Sequence, residues 1–234
     1  MDGHLFDFDD VVVDKAGRRA LDGLTGYIPD HLVTVIAGPS GSGKTTLLRL
    51  CNHLDTATTG TVRFTGRAID QVDPLRLRRE VGMVFQRPTP LPGTVADNLR
   101  VARPTATDDE IDLGLVRVGL DGFATRSADE LSGGEAQRMG LARTLLTNPR
   151  FVLFDEPTSA LDPSATNDIE ALVAQLAIDG IPSAWVTHDM GQLRRLAHHA
   201  VFVIDGVIAQ QGHLDDVLSA PSPAIERFIS GDAQ

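Results

Sequence analysis

The octapeptide GPSGSGKT, residues 38–45, constrains this chain more than any other stretch. It follows the apolar, β-branched run LVTVIA and opens KTTLLRLCNHL, whose apolar residues recur at helical spacing. A strand that passes into a helix through glycines places backbone N–H groups around a helix N-terminus, where an anion can approach closely and the dipole favours it. The cradle expected for a phosphate chain is formed by Gly38, Pro39, Ser40, Gly41, Ser42 and Gly43, continued by Lys44, Thr45 and Thr46. Lys44 is placed to reach the outer phosphates, and the Thr45 hydroxyl to meet Mg²⁺.

Short apolar runs recur along the chain: LVTVIAG (32–38), VGMVF (81–85), RFVLFDE (150–156), SAWVTHD (183–189) and AVFVIDG (200–206). Near-continuous apolarity predicts strands covered on both faces. Helix-like spacing in GEAQRMGLARTLLT and ATNDIEALVAQLAI makes strand and helix alternate, as in an α/β core with a mainly parallel sheet. The first thirty residues read as a small antiparallel sheet at one edge. From Pro88 to about Ser132, prolines and glycines give way to acidic and apolar residues at helical spacing, and no convincing strand occurs. The expectation is one domain over 1–234, with a core and antiparallel β subdomain from 1–87 and 146–234 and an inserted helical subdomain over 88–145.

At 234 residues the chain can bury a sizeable interior, and 42% hydrophobic with 23% charged residues is ordinary globular usage. A net charge of −11 argues against nonspecific binding of nucleic acid but leaves local phosphate sites open. The lone Cys51 excludes an internal disulfide and, beside Leu47, Leu48 and Leu50, reads as a packing residue. The acidic opening MDGHLFDFDD does not read as a secretory leader, and the apolar runs fall short of the roughly 20 residues of a membrane-spanning helix. The expectation is a chain soluble by itself.

Two further stretches carry chemistry. FVLFDE ends a buried strand in adjacent carboxylates, whose side chains leave the strand in different directions. Asp155 can therefore hold a metal ion, while Glu156 orients and deprotonates an attacking water. LSGGEAQR, residues 131–138, is a puzzle. Ser132 and Glu135 form a capping box, but Gly133 and Gly134 each cost a helix roughly 1 kcal/mol. Close approach of an anion to the backbone would account for them.

In order, the chain has GPSGSGKT, Gln86 in VFQ, LSGGE, VLFDE, SALD (159–162) and THD with His188. Over essentially its whole length it resembles the ATP-binding subunits of ABC (ATP-binding cassette) transporters, in which these stand as Walker A, Q-loop, signature, Walker B, D-loop and switch histidine. The resemblance implies an ATPase that uses ATP and Mg²⁺. Glu156, His188, Gln86 and Lys44 would be catalytic, and Thr45, Gln86 and Asp155 would face the metal. It also implies a head-to-tail homodimer, in which Ser132, Gly133 and Gly134 close over the ATP of the partner and Asp162 crosses the interface. The further partners implied are a transmembrane permease, gripped along RPTPLPGTVADNL (87–99), and an extracytoplasmic solute-binding protein. The chain would sit peripherally on the cytoplasmic face of the cell membrane.

One departure stands out. Family members commonly carry an aromatic residue after the first strand to stack on adenine, and here that position falls near Lys15. A weaker base selectivity, or cover of the ring by a cation or by Val13, is expected in its place; Tyr27 lies too close to the Gly-rich strand for the role. VGMVFQRPTPLPGTVADNL, SALDPSATNDIEALV and SPAIERFISGDAQ look most like ATPases of phosphate importers, whereas RSADELSGGEAQRMGLARTLL is also similar to ATPases of metal or iron export. The tail after VIAQQGHLDDVL is too short for the regulatory domain of many sugar-importer ATPases. A non-transport ABC ATPase and an inactive nucleotide-binding module remain competing readings; intact Lys44, Asp155, Glu156 and His188 oppose the second.

Overall fold

The computed structural model describes residues 3–230, so the first two residues of MDGHLFDFDD and the last four of SPAIERFISGDAQ lie outside it. Strands β1 (His4–Lys15) and β2 (Arg18–Pro29) form a hairpin turning at Ala16 and Gly17. Next come β3 (Val33–Ala37), the Gly-rich loop and α1 (Lys44–Cys51), then β4 (Thr59–Phe64) and β5 (Arg67–Ala68). Helix α2 (Pro74–Glu80), capped by Asp73 and started by proline, leads into β6 (Val81–Val84). Three helices follow: α3 (Val95–Ala102), α4 (Asp108–Arg117) and α5 (Gly133–Leu145), each opened by a capping box. The chain then alternates through β7 (Phe151–Asp155), α6 (Pro163–Ile178), β8 (Ser183–Thr187), α7 (Met190–Leu196) and β9 (His199–Ile204). It finishes with β10 (Val207–His213), α8 (Leu214–Ser219) and α9 (Pro223–Ser230).

The larger sheet has the order β10-β9-β3-β8-β7-β6, parallel except for the β9–β10 hairpin. Every residue of β3, β7 and β8 is buried, because the sheet is covered on both faces. Alternation divides the interior in two. Val33, Val35, Val152, Phe154 and Trp185 pack with the helices α3–α7, while Ile36, Phe151, Leu153, Ala184 and Val186 pack with α1 and the antiparallel sheet. Parallel strands bring their C-terminal ends to one edge, so the segments after β3, β6, β7 and β8 meet there.

Two strand assignments differ from the sequence reading. The antiparallel sheet, of order β2-β1-β4-β5, recruits residues 59–68 and is not confined to the first thirty. β4 buries only Val62 and Phe64, a half-covered pattern that a search for continuous apolar runs passes over. The segment after AVFVIDG is β10, joined to β9 through Asp205 (φ 49°) and Gly206 (φ 80°), an Asp-Gly turn of the kind that closes hairpins. Cys51 is fully buried, its thiol pKa pushed up by desolvation, as its packing role predicts.

Candidate active site

At the C-terminal edge of the parallel sheet the Gly-rich loop wraps a cleft of about 340 Å³, lined by Ser40, Gly41, Gly43, Lys44, Thr45, Thr46, Ala20, Gln86 and Glu156. Gly43 caps α1 in a left-handed conformation (φ 105°), and a Cβ there would stand 2.6 Å from the Ala20 carbonyl oxygen. Only glycine fits both demands. Gly41 (φ 78°) would point a Cβ into open space, leaving the loop backbone facing the cleft. Gly38, Pro39 and Ser42 stand behind this lining. The carbonyls of Gly38 and Pro39 accept bonds of 2.9 and 2.7 Å from Lys44 Nζ. Burial pushes the Lys44 pKa down, opposed by the charges of Glu156 and Asp155.

Across the cleft, β7 delivers Asp155, whose Oδ1 accepts a 2.8 Å bond from the Thr45 hydroxyl. Burial pushes the Asp155 pKa up, and the Thr45 bond and nearby Arg49 oppose it. A desolvated carboxylate beside a hydroxyl, with an open anion cradle adjoining, is a donor set that suits Mg²⁺, which takes one or two carboxylates together with substrate phosphates. The residues present therefore fit a Mg²⁺-bound nucleotide polyphosphate.

Glu156 follows at φ 44°, a backbone strain of about 1–3 kcal/mol for a residue with a side chain, and this turn swings its carboxylate back toward the loop. His188, at the end of β8, places Nδ1 3.5 Å from Glu156 Oε1. The two share a second hollow of about 230 Å³ with Thr158, Ser159 and Asp189. Its floor is a buried chain that motif matching missed: Thr187 Oγ1 donates to Gln192 Oε1 (2.6 Å), and Gln192 Nε2 donates to Thr158 Oγ1 (2.7 Å). Gln86 Nε2 donates to Ser159 Oγ at 3.1 Å, which ties the end of β6 to the segment after Glu156. Gln137 of α5, also missed, is buried and donates to the Phe85 carbonyl at 2.9 Å, holding the neighbour of Gln86. Polar residues inside amphipathic helices give no sequence signal until the fold shows them buried.

Ser132, Gly133 and Gly134 do not line this cleft. Ser132 and Gly133 are exposed at the start of α5. The capping box is present: Ser132 N–H donates to Glu135 Oε2 (2.8 Å) and Glu135 N–H to Ser132 Oγ (3.3 Å). The two glycines separate. A Cβ on Gly133 would meet only Leu161 Cδ2 at 3.4 Å, whereas on Gly134 it would stand 2.9 Å from the Cβ of Ala165 in α6. Packing of α5 on α6 thus requires Gly134 to be small, independently of any anion. The Asp162 carboxylate accepts from Ser164 N–H and Ala165 N–H as the N-cap of α6, so it is engaged within its own chain.

Around Lys15, the ammonium pairs with Asp55 and lies 3.5 Å from Thr46 Oγ1 at the rim of the cleft. Val13 is only 2% exposed and faces the core, so it has no surface to offer a base. Tyr27 stacks on His4 with ring centroids 3.9 Å apart. Beside β6 an open groove of about 310 Å³ is lined by Leu54, Arg78, Met83, Phe85, Val101 and Arg143 among others. No residue of 87–99 lines it. That segment is folded onto itself by Asn98, which accepts from Leu91 N–H (2.7 Å) and donates to the carbonyls of Leu91 (2.9 Å) and Thr94 (3.0 Å).

Residues 21–159 match the family described as ABC transporter. The chain is 41% identical over 219 residues to "ABC transporter I family member 17" of Arabidopsis thaliana, across 91% of this chain and 83% of that one. It is 38% identical over 234 residues to "Phosphate import ATP-binding protein PstB 2" of Mycobacterium tuberculosis, across 92% and 84% of the two chains. Among solved structures it is similar to the ADP conformation of an ATP-binding cassette of an ABC transporter, at TM-score 0.82 and 26% identity over 97% of this chain and 98% of that one.

Proposed function

The chain belongs to the ATP-binding family of ABC transporters, and from that premise we propose how its residues divide the work of ATP hydrolysis. It is an ATPase subunit of a transporter, and no helix among the described residues is long and apolar enough to cross a membrane. Its partner is accordingly a membrane permease, with which the chain associates peripherally, on our reading at the cytoplasmic face. Residues 88–145 act as a helical unit joined to the nucleotide core through Gln86.

Lys44 exchanges its loop carbonyls for the oxygens of the outer phosphates, and the loop N–H groups hold the rest of the chain. Thr45 and Asp155, with Gln86 beside them, hold Mg²⁺. An ion held there would supply electrostatic stabilisation of the charge that develops on the transferring phosphoryl group. Glu156 accepts a hydrogen bond from the attacking water and takes its proton on a carboxylate oxygen. His188, within reach of the same carboxylate, orients the γ-phosphate end.

The observation that carries this reading is the cleft itself: Lys44 and Thr45 of α1, Gln86 after β6 and Glu156 after β7 converge on it, while Ser132 and Gly133 stand exposed elsewhere. A chain that owns both halves but does not join them calls for a second copy, head to tail, whose signature closes the first copy's cleft. Purified protein is expected to hydrolyse Mg·ATP slowly; Glu156→Gln is expected to abolish turnover and to accumulate ATP-dependent dimers in size-exclusion chromatography. Monomers with unchanged turnover would contradict it.

The groove beside β6 supports a site for the permease. Phe85 is 44% and Val101 60% exposed there, and burial lowers the pKa of Arg143. For the cargo, the phosphate-importer-like stretches and the mycobacterial relative favour import of phosphate delivered by a solute-binding protein. Loss of phosphate uptake on deletion, restored by the wild-type chain but not by Glu156→Gln, is the expected result; unchanged uptake would turn the reading toward another solute or metal export.

A further inference from the structure

Strands β7 and β8 are paired as far as Asp155 and Val186, so Glu156 and His188 both stand beyond the end of that ladder. The 3.5 Å approach of His188 Nδ1 to Glu156 Oε1 is longer than a normal hydrogen bond and does not by itself hold the pair. Another side chain spans the two segments. Gln192, in the first turn of α7 and 6% exposed, accepts from the Thr187 hydroxyl through Oε1 (2.6 Å) and donates to Thr158 Oγ1 through Nε2 (2.7 Å). Thr187 directly precedes His188, and Thr158 stands two residues after Glu156. The Thr187 hydroxyl oxygen also accepts from Asp189 N–H at 3.0 Å, which anchors the chain of bonds on both sides of His188.

We infer that Gln192 is a positioning residue for hydrolysis: it ties the segment bearing His188 to the segment bearing Glu156 and so sets where imidazole and carboxylate stand relative to each other. The inference rests on the roles given to those two residues above. An amide accepts on one side and donates on the other, as this tie requires. Thr158, Thr187 and Gln192 are all buried, so losing one partner leaves the others unsatisfied and favours a shift of the segments. A misplacement of about 1 Å can cost a reaction about a hundredfold. Lys44 and Thr45 lie outside the tie, held by the carbonyls of Gly38 and Pro39 and by Asp155. Gln192 therefore acts on turnover and not on nucleotide binding. One turn further along α7, Arg195 makes a bidentate pair with Glu170 of α6 at 2.7 and 2.8 Å, which fastens the helix without bonding to either segment.

The test is steady-state ATPase kinetics of the full chain beside thermal unfolding. Gln192→Leu and Thr158→Val are each expected to lower kcat about tenfold or more and to leave KM for Mg·ATP within about twofold of wild type. Thr158→Ser keeps the acceptor and is expected to stay within about twofold of wild type in both. Because Gln192→Leu and Thr158→Val break the same bond, their combination should be within about twofold of the slower single variant. Arg195→Met is expected to melt lower while kcat stays within about twofold of wild type. If Gln192→Leu fails to fold, the two Thr158 variants carry the test. A raised KM with kcat unchanged would overturn the inference, as would a fall in kcat that Arg195→Met reproduces at the same loss of melting temperature. Wild-type turnover by Glu156→Gln would remove the role of the carboxylate and the inference with it. An inactive Glu156→Gln beside fully active Gln192→Leu and Thr158→Val would remove the inference alone.

Discussion

The Gly-rich turns at 38–45 and 131–138 both open helices and both hold backbone N–H groups free, yet glycine serves them differently. In the first, Gly43 is left-handed, and a Cβ would strike the backbone of Ala20. The loop is shaped from within, and its own lysine bonds its carbonyls. In the second neither glycine has positive φ, the capping box shapes the turn, and Gly134 is small because Ala165 lies behind it. Gly133 alone is unexplained by its own chain. A turn whose backbone is dictated internally can act where it stands; for the exposed glycine of the second turn, the proposed reason is the second copy of the chain.

The largest expected effect tests that division directly. Lys44→Ala and Ser132→Arg are each expected to lower turnover at least about a hundredfold, the first by removing charge stabilisation from a phosphoryl-transfer site and the second by putting a bulky side chain where the closing signature would meet the phosphates. Mixed together, the two inactive proteins should recover activity. A dimer of one of each has both defects in one cleft and none in the other. Recovery, measured as phosphate release against the mixing ratio, would place the signature on the partner; no recovery at any ratio would place it on the same chain and break the comparison.

Next in size are the glycines themselves. Gly43→Ala imposes a left-handed alanine and a backbone clash, together on the order of 2 kcal/mol or more of lost stability. Gly133→Ala imposes neither and removes a helix penalty of roughly 1 kcal/mol, so its melting temperature should hold or rise while turnover falls. Thermal unfolding beside ATPase assays separates the two. If Gly133→Ala melts lower than wild type, the exposed turn is structural after all. Gly134→Ala lies between them: a loss of about 1 kcal/mol is expected from its contact with Ala165, and Ala165→Gly in the same chain should return part of it.

How much of this was legible beforehand follows from what each residue reports locally. The phosphate loop, the strand runs of β3, β7 and β8, and the capping box at Ser132 are local patterns, and each lies where its residues indicate. β4 is not legible as a strand because it is half covered and its partner β1 is distant in sequence; β10 is not, because none of its residues is fully buried, although its partner β9 stands next to it across the Asp-Gly turn. The same holds at the site. Lys44, Asp155, Glu156 and Gln86 follow from motif and order, but Gln192 and Gln137 owe their importance to burial against Thr158 and Phe85, which only the assembled fold creates. The reason first assigned to Gly134 was incomplete for that cause too, since Ala165 lies thirty-one residues further along.

The smallest effect sharpens the account of the outer turn. Its cap has two halves with different dependence on pH. Ser132→Ala removes the hydroxyl acceptor of the Glu135 N–H and is expected to cost about 1 kcal/mol, of which only the share exerted on the Glu135 carboxylate is lost at acid pH. Glu135 is held below its ordinary pKa of 4.5, chiefly by the bond it accepts from the Ser132 backbone N–H and then by the Ser132 side chain. A carboxylate with a depressed folded pKa contributes stability that is present above the unfolded pKa and is lost as pH falls through the folded one. The gap between wild type and Glu135→Gln should therefore be steady from neutral pH to about pH 5 and close below 4.5, whereas the Ser132→Ala gap stays open. Denaturant melts of the three proteins across that range read both. If the glutamine gap persists at low pH, the carboxylate charge has no part in shaping the turn, and the hydroxyl half of the cap carries it alone.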